Sequence, residues 1–245
     1  MTLEPESRTH GEDLSHARFA DLDLTGSTFE SCTFVDVRFA GTRFEASRFR
    51  QCRFVRCHFS NVEFRDSHFV ECDFTDDAGH TGAHFSLSRM EQARFERCDL
   101  SFVRFERCDL YCVRLTSCNL RGSAFVRVEF SRSFSRKIVK WAGWMTDCNF
   151  EFANLNGLRL REGDLRESRF REAVMHQADL EDTDLRDADL TRAALDGARL
   201  ARADVRGATI DGLNLQSLSS FEGLVITGSQ QFPLLSAMGL DVHPD

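Results

Sequence analysis

From Leu14 to Phe74 a large apolar residue stands at every fifth position, thirteen in unbroken succession. A second run in a shifted phase carries ten from Phe85 to Phe130, and a third carries fourteen from Phe150 to Leu215 in the phase of the second. The residue two places before each large one is small (Ala, Cys, Ser, Thr, Gly or Val), with Leu22, Leu158 and Leu213 as the exceptions between Ala17 and Leu213. The three remaining positions are mostly Arg, Asp, Glu, Ser, Thr or Asn. A period of five matches neither the 3.6 of a helix nor the 2 of a long strand. Two inward residues separated by one outward residue describe a very short extended segment, after which the chain turns and starts again. Such segments wind into a solenoid that stacks large residues on large and small on small.

The composition changes the picture in three ways. Eighteen of the 23 Phe occupy the large position, so the repeat accounts for the aromatic excess. The formal net charge of −8 has the wrong sign for a general electrostatic pull on a phosphate backbone; it predicts no direct nucleic-acid binding and suits a basic partner. No apolar stretch approaches the ~18 residues of a membrane span and residues 1–8 are polar, so a cytosolic protein without membrane contact is expected.

Nine cysteines would by count suggest disulfides or metal. Yet Cys32, Cys52, Cys57, Cys72, Cys98, Cys108, Cys118 and Cys148 all fall on the small inward position, where a thiol serves as an apolar filler, and only Cys112 does not. No CxxC pair is present, and this many free thiols fit a reducing compartment. His80 and His84 with Asp76 and Asp77 have helical ligand spacing, but their two-glycine segment reads as a loop rather than a metal site. His58 and His68 point outward on opposite faces. No phosphate loop or nucleophile elbow occurs, and carboxylates on a convex exterior lack the enclosure that shifts a pKa. Neither catalysis nor a cofactor is expected.

The motif A(D/N)LXX stands in Ala178-Asp179-Leu180-Glu181-Asp182, Ala188-Asp189-Leu190-Thr191-Arg192 and, with Val, in Ala203-Asp204-Val205-Arg206-Gly207. Over residues 14–215 the chain resembles the pentapeptide-repeat family. The resemblance implies an all-β fold, a right-handed quadrilateral β-helix with four repeats per coil, so that residues 20 apart lie above one another at about 4.8 Å. Pro5, Pro233 and Pro244 all lie outside that stretch, as a hydrogen-bonded stack requires.

The interruptions divide the chain into a tail (1–13), a first stack (14–75), a first loop (76–84), a second stack (85–130), a second loop (131–147), a third stack (148–217) and a terminal segment (218–245). Eleven residues separate Phe74 from Phe85 where a multiple of five belongs. The second loop puts Ser135 and Lys140 at large positions; with Arg132, Arg136, Lys137, Trp141 and Trp144 it reads as a basic aromatic projection, the alternative being tryptophans folded back onto the wall. Residues 72–86 are similar to the first loop with its flanks, and residues 145–155 to the return from the second loop, in the quinolone-resistance branch of the family, although the N-terminal stack and the second loop are longer here. Loop residues Asp76, Asp77 and His80 are candidates for partner contact along with those of the second loop.

After Leu215 the period fails. Phe221 belongs to a terminal cap, and Phe232, Leu234, Leu235, Met238 and Leu240 lie in a segment with helical spacing. An exposed solenoid end must be covered, by the cap alone or, as the resemblance implies, by a second chain joined tail to tail. The densest acidic stretch supplies a stripe of Glu162, Asp164, Glu167, Asp179, Asp182, Asp184, Asp187, Asp189 and Asp204. Arg166, Arg186 and Arg206 form a neighbouring column, so a neutralised ladder weighs equally with a free stripe. A dimer ~100 Å long would match duplex DNA bearing about 60 phosphates at one per ~1.7 Å, against a formal dimer charge of twice −8. Any imitation of DNA must then come from width, stiffness and local charge. The resemblance implies a DNA-mimicking homodimer that binds DNA gyrase, with topoisomerase IV as a second candidate, and protects it from quinolones or a natural poison. A scaffold for some other protein is the alternative.

Overall fold

The computed structural model describes residues 3–76, 78, 81–135 and 138–243. Short parallel strands, most of three residues, stack coil on coil. On the first side, Arg8–His10, Thr28–Glu30, Arg48–Arg50, His68–Val70, Arg94–Glu96, Val113–Thr116 and Gly143–Thr146 form one seven-stranded sheet. Its register places Phe29 opposite Phe49 and Phe49 opposite Phe69, an offset of 20 residues, and isolated bridges carry the same column on through Asp164, Asp184 and Asp204. The second side runs through Phe34 and Phe54, the third through Phe39, Phe59, Phe85, Phe105 and Phe125, and the fourth through bridges at Arg43, Glu63, Arg89 and Asp109. The result is a four-sided β-solenoid of ten rungs from Thr9 to Val205, about 45 Å of stack at the usual strand spacing.

Each repeat position has a physical reason. Large residues fill the interior, and their rings stack down the columns: Phe34 on Phe54 at 4.7 Å and 4°, Phe39 on Phe59 at 4.6 Å and 5°. Each buried Phe contributes on the order of 1.5–3 kcal/mol, and each stacked pair about 0.5–1.5 kcal/mol more. The small residue lies where the chain turns inward, and its hydroxyl or thiol meets a carbonyl of the preceding coil. Ser47 donates to Leu24 O (2.8 Å), Thr42 to Phe19 O (2.7 Å) and Cys57 to Phe34 O (3.3 Å). Burial pushes the Cys57 thiol up to about 12 and that of Cys108 to about 11, which keeps both protonated. An Asp before the large residue closes the next corner by accepting the N–H two residues on, as Asp73 does from Thr75 and Asp189 from Thr191, both at 2.9 Å. The corner residue is left-handed, with φ 56° at Asp36 and 54° at Glu71.

Both interruptions leave the core intact. The offset becomes 26 residues across the first, yet Phe59 stacks on Phe85 at 4.4 Å and 5°. Across the second it is 30, with Leu115 opposite Met145. The first interruption therefore adds six residues to a coil and the second adds ten. At the C-terminus, turns at Leu215–Ser217 and Gly228–Gln230 lead into the helix Gln231–Ala237. Buried Gln230 fastens that helix to the last coil by donating to Val205 O (2.7 Å) and Ala208 O (2.8 Å). Among the described residues no helix is long and apolar enough to cross a membrane.

Candidate partner-binding surface

The acidic stripe is assembled as the spacing requires, but most of it is paired. Asp164, Asp184 and Asp204 stack in one column. Arg166 chelates Asp164 (2.7 Å) and reaches Asp184 (3.5 Å), Arg186 chelates Asp184 (2.6 Å), and Arg206 chelates Asp204 (2.6 Å). Hydrogen bonds from Arg186 and Arg206 hold the Asp184 and Asp204 carboxyls below the usual carboxylate range. A second cluster joins Arg161 to buried Asp179 (2.7 Å) and Glu181 (3.4 Å), and Arg202 to Asp182 (2.6 Å) and Glu181 (3.4 Å), while Arg199 also pairs with Glu181. Asp189 lies 3.8 Å from Arg171.

Of the stripe, exposed Glu162, Glu167 and Asp187 have no ion pair among the described residues. The corner amides of Asp147, Glu167 and Asp187 each bond one coil onward, to the carbonyls of Arg166, Arg186 and Arg206. Those three acids therefore form one edge column. Asp147, whose carboxylate among the described residues accepts only from Ser117 (2.8 Å), belongs to this edge and not to the second loop (131–147) that the sequence predicts.

The second interruption is a β-hairpin in which Ser131–Ser135 pairs antiparallel with Ile138–Trp141, Arg132 opposite Lys140. Its base is clamped to the wall. Arg132 binds Glu91 and Asp109 (2.9 Å), and its guanidinium lies 4.9 Å from the Tyr111 ring centre. The register slips between Ser133 and Ser135, which leaves Phe134 as the bulged residue. Among the described residues of the hairpin the exposed side chains are largely apolar: Phe134 is 60% exposed, Ile138 51% and Val139 48%, beside exposed Lys140. Arg132 is thus an anchor and not a free cation.

Both tryptophans are held at the wall. Trp141 ends the hairpin under Arg159 (5.1 Å), and Trp144 stands in the strand Gly143–Thr146 under Arg114 (4.1 Å), outside the projection assigned to it. The period alone could not show this, because an insertion of ten preserves a phase of five. The apolar trio was visible as large residues off the repeat.

The first loop is closed at its neck by the Thr75–Gly82 bridge. The Asp76 N–H donates to Thr81 O (2.9 Å) and its carboxylate accepts from the Thr81 hydroxyl (3.0 Å). Asp77 and His80 of this loop, and Arg136 and Lys137 of the hairpin, lie outside the described residues. His84 belongs to the wall, 3.4 Å from Glu106, and among the described residues no group of three ligating side chains is placed to hold a metal ion.

At the C-terminal end Phe221, Phe232, Leu235 and Leu240 are exposed and Met238 is half-buried. Leu234, assigned to a subunit contact from the sequence, is 4% exposed and packs into its own chain's core.

Eight copies of the pentapeptide repeat match the chain, over residues 13–51, 38–76, 81–110, 148–187 and 188–217. The chain belongs to the pentapeptide-repeat family. Among solved pentapeptide-repeat structures, it is similar to full-length QnrB1, described as a plasmid-mediated fluoroquinolone resistance protein, with a TM-score of 0.73 and 20% identity over 96% of this chain and 98% of that one. A trypsin-treated variant of QnrB1 gives 0.72 and 20% over 97% and 99%. At that identity the likeness shows a common fold. No curated protein matches the chain in sequence.

Proposed function

We propose that this pentapeptide-repeat protein binds DNA gyrase, with topoisomerase IV as a second target, and protects it from fluoroquinolones or a natural poison of the same step. The observation that carries the reading is the hairpin: a rigid rod presents exposed Phe134, Ile138 and Val139, with Phe134 set edge-on to the Tyr111 ring of the wall (6.4 Å). The unpaired edge Asp147–Glu167–Asp187 stands on the side that the hairpin strand rejoins. Exposed apolar groups on a preformed scaffold mark a contact surface. The edge supplies fixed negative charge on a stiff column, the local feature that a DNA mimic needs when its bulk charge is far below that of a duplex. The fold shared over 96% of this chain with QnrB1, described as a fluoroquinolone resistance protein, supports a role in protection from that class of drug.

In this reading the acidic edge occupies a basic channel of the topoisomerase while Phe134, Ile138 and Val139 of the hairpin fill an adjoining apolar recess, so the enzyme with cleaved DNA releases the drug. Exposed Phe232, Leu235 and Leu240 join two chains tail to tail and double the edge by symmetry. The neutralised Asp164–Asp184–Asp204 ladder favours the second reading, a scaffold for a protein other than a topoisomerase. Supercoiling and drug-stabilised cleavage by purified gyrase, with and without ciprofloxacin, separate the two. Intact protein should restore supercoiling in the presence of drug, and a variant lacking residues 132–140 should not. No effect of the intact protein at micromolar concentration excludes the gyrase reading.

A further inference from the structure

Along most of the rod, outward charges in one column alternate in sign or are paired within the rung. The fourth side reads Asp23, Arg43, Glu63, Arg89, Asp109, with Arg43–Asp23 at 3.6 Å and Arg89–Glu63 at 2.7 Å. The first side departs from this rule. Its sheet register places Arg8, Thr28, Arg48, His68, Arg94, Arg114 and Trp144 in a single column. Arg8, Arg48, Arg94 and Arg114 are exposed and make no ion pair among the described residues. Of the acids in the neighbouring column, Glu30 is engaged by Arg50 (4.0 Å) and His10 (3.5 Å), while Glu96 meets the column's own His68 (3.0 Å) and none of its arginines among the described residues. Like charges directly opposite on facing strands destabilise a sheet, so the facing Arg94 and Arg114 carry a repulsion that an anionic ligand relieves. A shorter column on the third side, Arg38, His58, His84 and Arg104, is partly neutralised by Glu106.

We infer that this column is a binding track for single-stranded nucleic acid, lying along the first side and ending on Trp144. The net charge of −8 argues only against a general field, and the track is local. Its six steps span about 29 Å in a straight line at the strand spacing. A duplex of ~34 Å pitch meets such a line with each strand only about once per turn. A flexible single strand can follow it and set successive phosphates against the arginines. The half-buried Trp144, held under Arg114, supplies the aromatic and guanidinium surface on which single-strand sites stack bases. A second copy of the chain is a poorer occupant, because the acids at the far end of this side are already matched by Arg166, Arg186 and Arg206.

The inference does not depend on a topoisomerase, and its test contains none. Fluorescence anisotropy of a labelled oligothymidylate is followed against salt for the full chain, for Arg48→Glu/Arg94→Glu, and for a charge-matched control, Arg169→Glu/Arg192→Glu, on the second side. The unaltered protein should show a slope of log K against log salt near −3, from about −0.7 for each of four phosphates. The track variant should bind roughly tenfold or more weakly at low salt with about half that slope, and the control should stay within about twofold. Arg48→Gln/Arg94→Gln, which removes charge without reversing it, should give an intermediate loss, and thermal melting checks that every variant is folded. Absence of binding by the unaltered protein at low salt overturns the inference, as does equal loss in track and control variants. Tighter binding to duplex of the same length, or displacement of the oligonucleotide by polyglutamate of equal charge, overturns the assignment to single strands.

Discussion

Arg132 decides whether the hairpin is a fixed feature or a floppy one, and Arg132→Ala isolates that role. The side chain is two-thirds buried and makes two ion pairs and one ring contact. Removing it strands no charge, because Glu91 keeps Arg65 (3.5 Å) and the Asp109 carboxylate still accepts the Tyr111 N–H (3.0 Å). The loss is therefore that of the contacts themselves, about 0–1 kcal/mol for each partly solvated pair and about 0.5–1 kcal/mol for the cation–π contact. The sum, about 0.5–3 kcal/mol, raises the hairpin's opening constant by about 2–150-fold. The rod should not respond, since no core side chain changes. Hydrogen exchange should show the hairpin amides exchanging faster by that factor while the amides of the Phe columns keep their protection and the melting temperature stays within about 2 °C. Unchanged hairpin exchange would refute the clamp, and loss of protection in the columns would refute the independence of hairpin and rod.

Three further outcomes follow from the same geometry. Gly82→Ala should destabilise the protein by about 1–3 kcal/mol in denaturant melts, because an added Cβ would stand 2.4 Å from Val103 N and 2.5 Å from Phe102 C, both backbone atoms. Phe54→Ala should cost about 3–5 kcal/mol, since its ring is stacked between Phe34 and Phe74 at 4.7 Å on each side; a loss under about 1 kcal/mol would mean the column closes up. Asp182, Asp184 and Asp204 have carboxyls lowered from 3.8 by their arginine partners, so the stability they add is full above pH 3.8 and lost as the pH falls below it through the folded-state values. Acid titration of Arg186→Gln, which removes one partner, should shrink the stability lost over that range and raise its lower limit toward pH 3.8, the start of the loss staying where it was.

The inward step was legible in the period of five itself, whereas four repeats per coil, which stack Phe on Phe 20 residues away outside the interruptions, came only through the resemblance to the pentapeptide-repeat family. The first insertion was equally plain, since eleven residues break the phase. The second was not: its ten added residues restore the phase at Met145, so Trp144 and Asp147 read as loop when both stand in the wall. The pairing of the acidic ladder was half visible. Asp164 and Arg166 flank one inward residue, so an extended segment turns both to the same side, yet whether the guanidinium reaches the carboxylate depends on rotamers. Leu234 was out of reach, because its burial follows from the hold of Gln230 on the last coil.

The positions of the two projections restrict how any partner can use them. The first loop leaves the rod after Phe74, on the second side, and returns at Phe85 on the third. The hairpin leaves after Phe130, on the fourth side, and the chain rejoins the first at Gly143. They therefore rise from diagonally opposite edges of a square column. A flat protein surface can touch one or the other but not both, and only a groove that encloses the rod on two or more sides reaches the pair. A channel built to hold a duplex has that shape, whereas a scaffold partner resting on one face would leave one projection without a role. Deleting each projection singly and both together distinguishes these cases: in an enclosing groove both single deletions weaken binding, while on a flat partner one of them changes nothing.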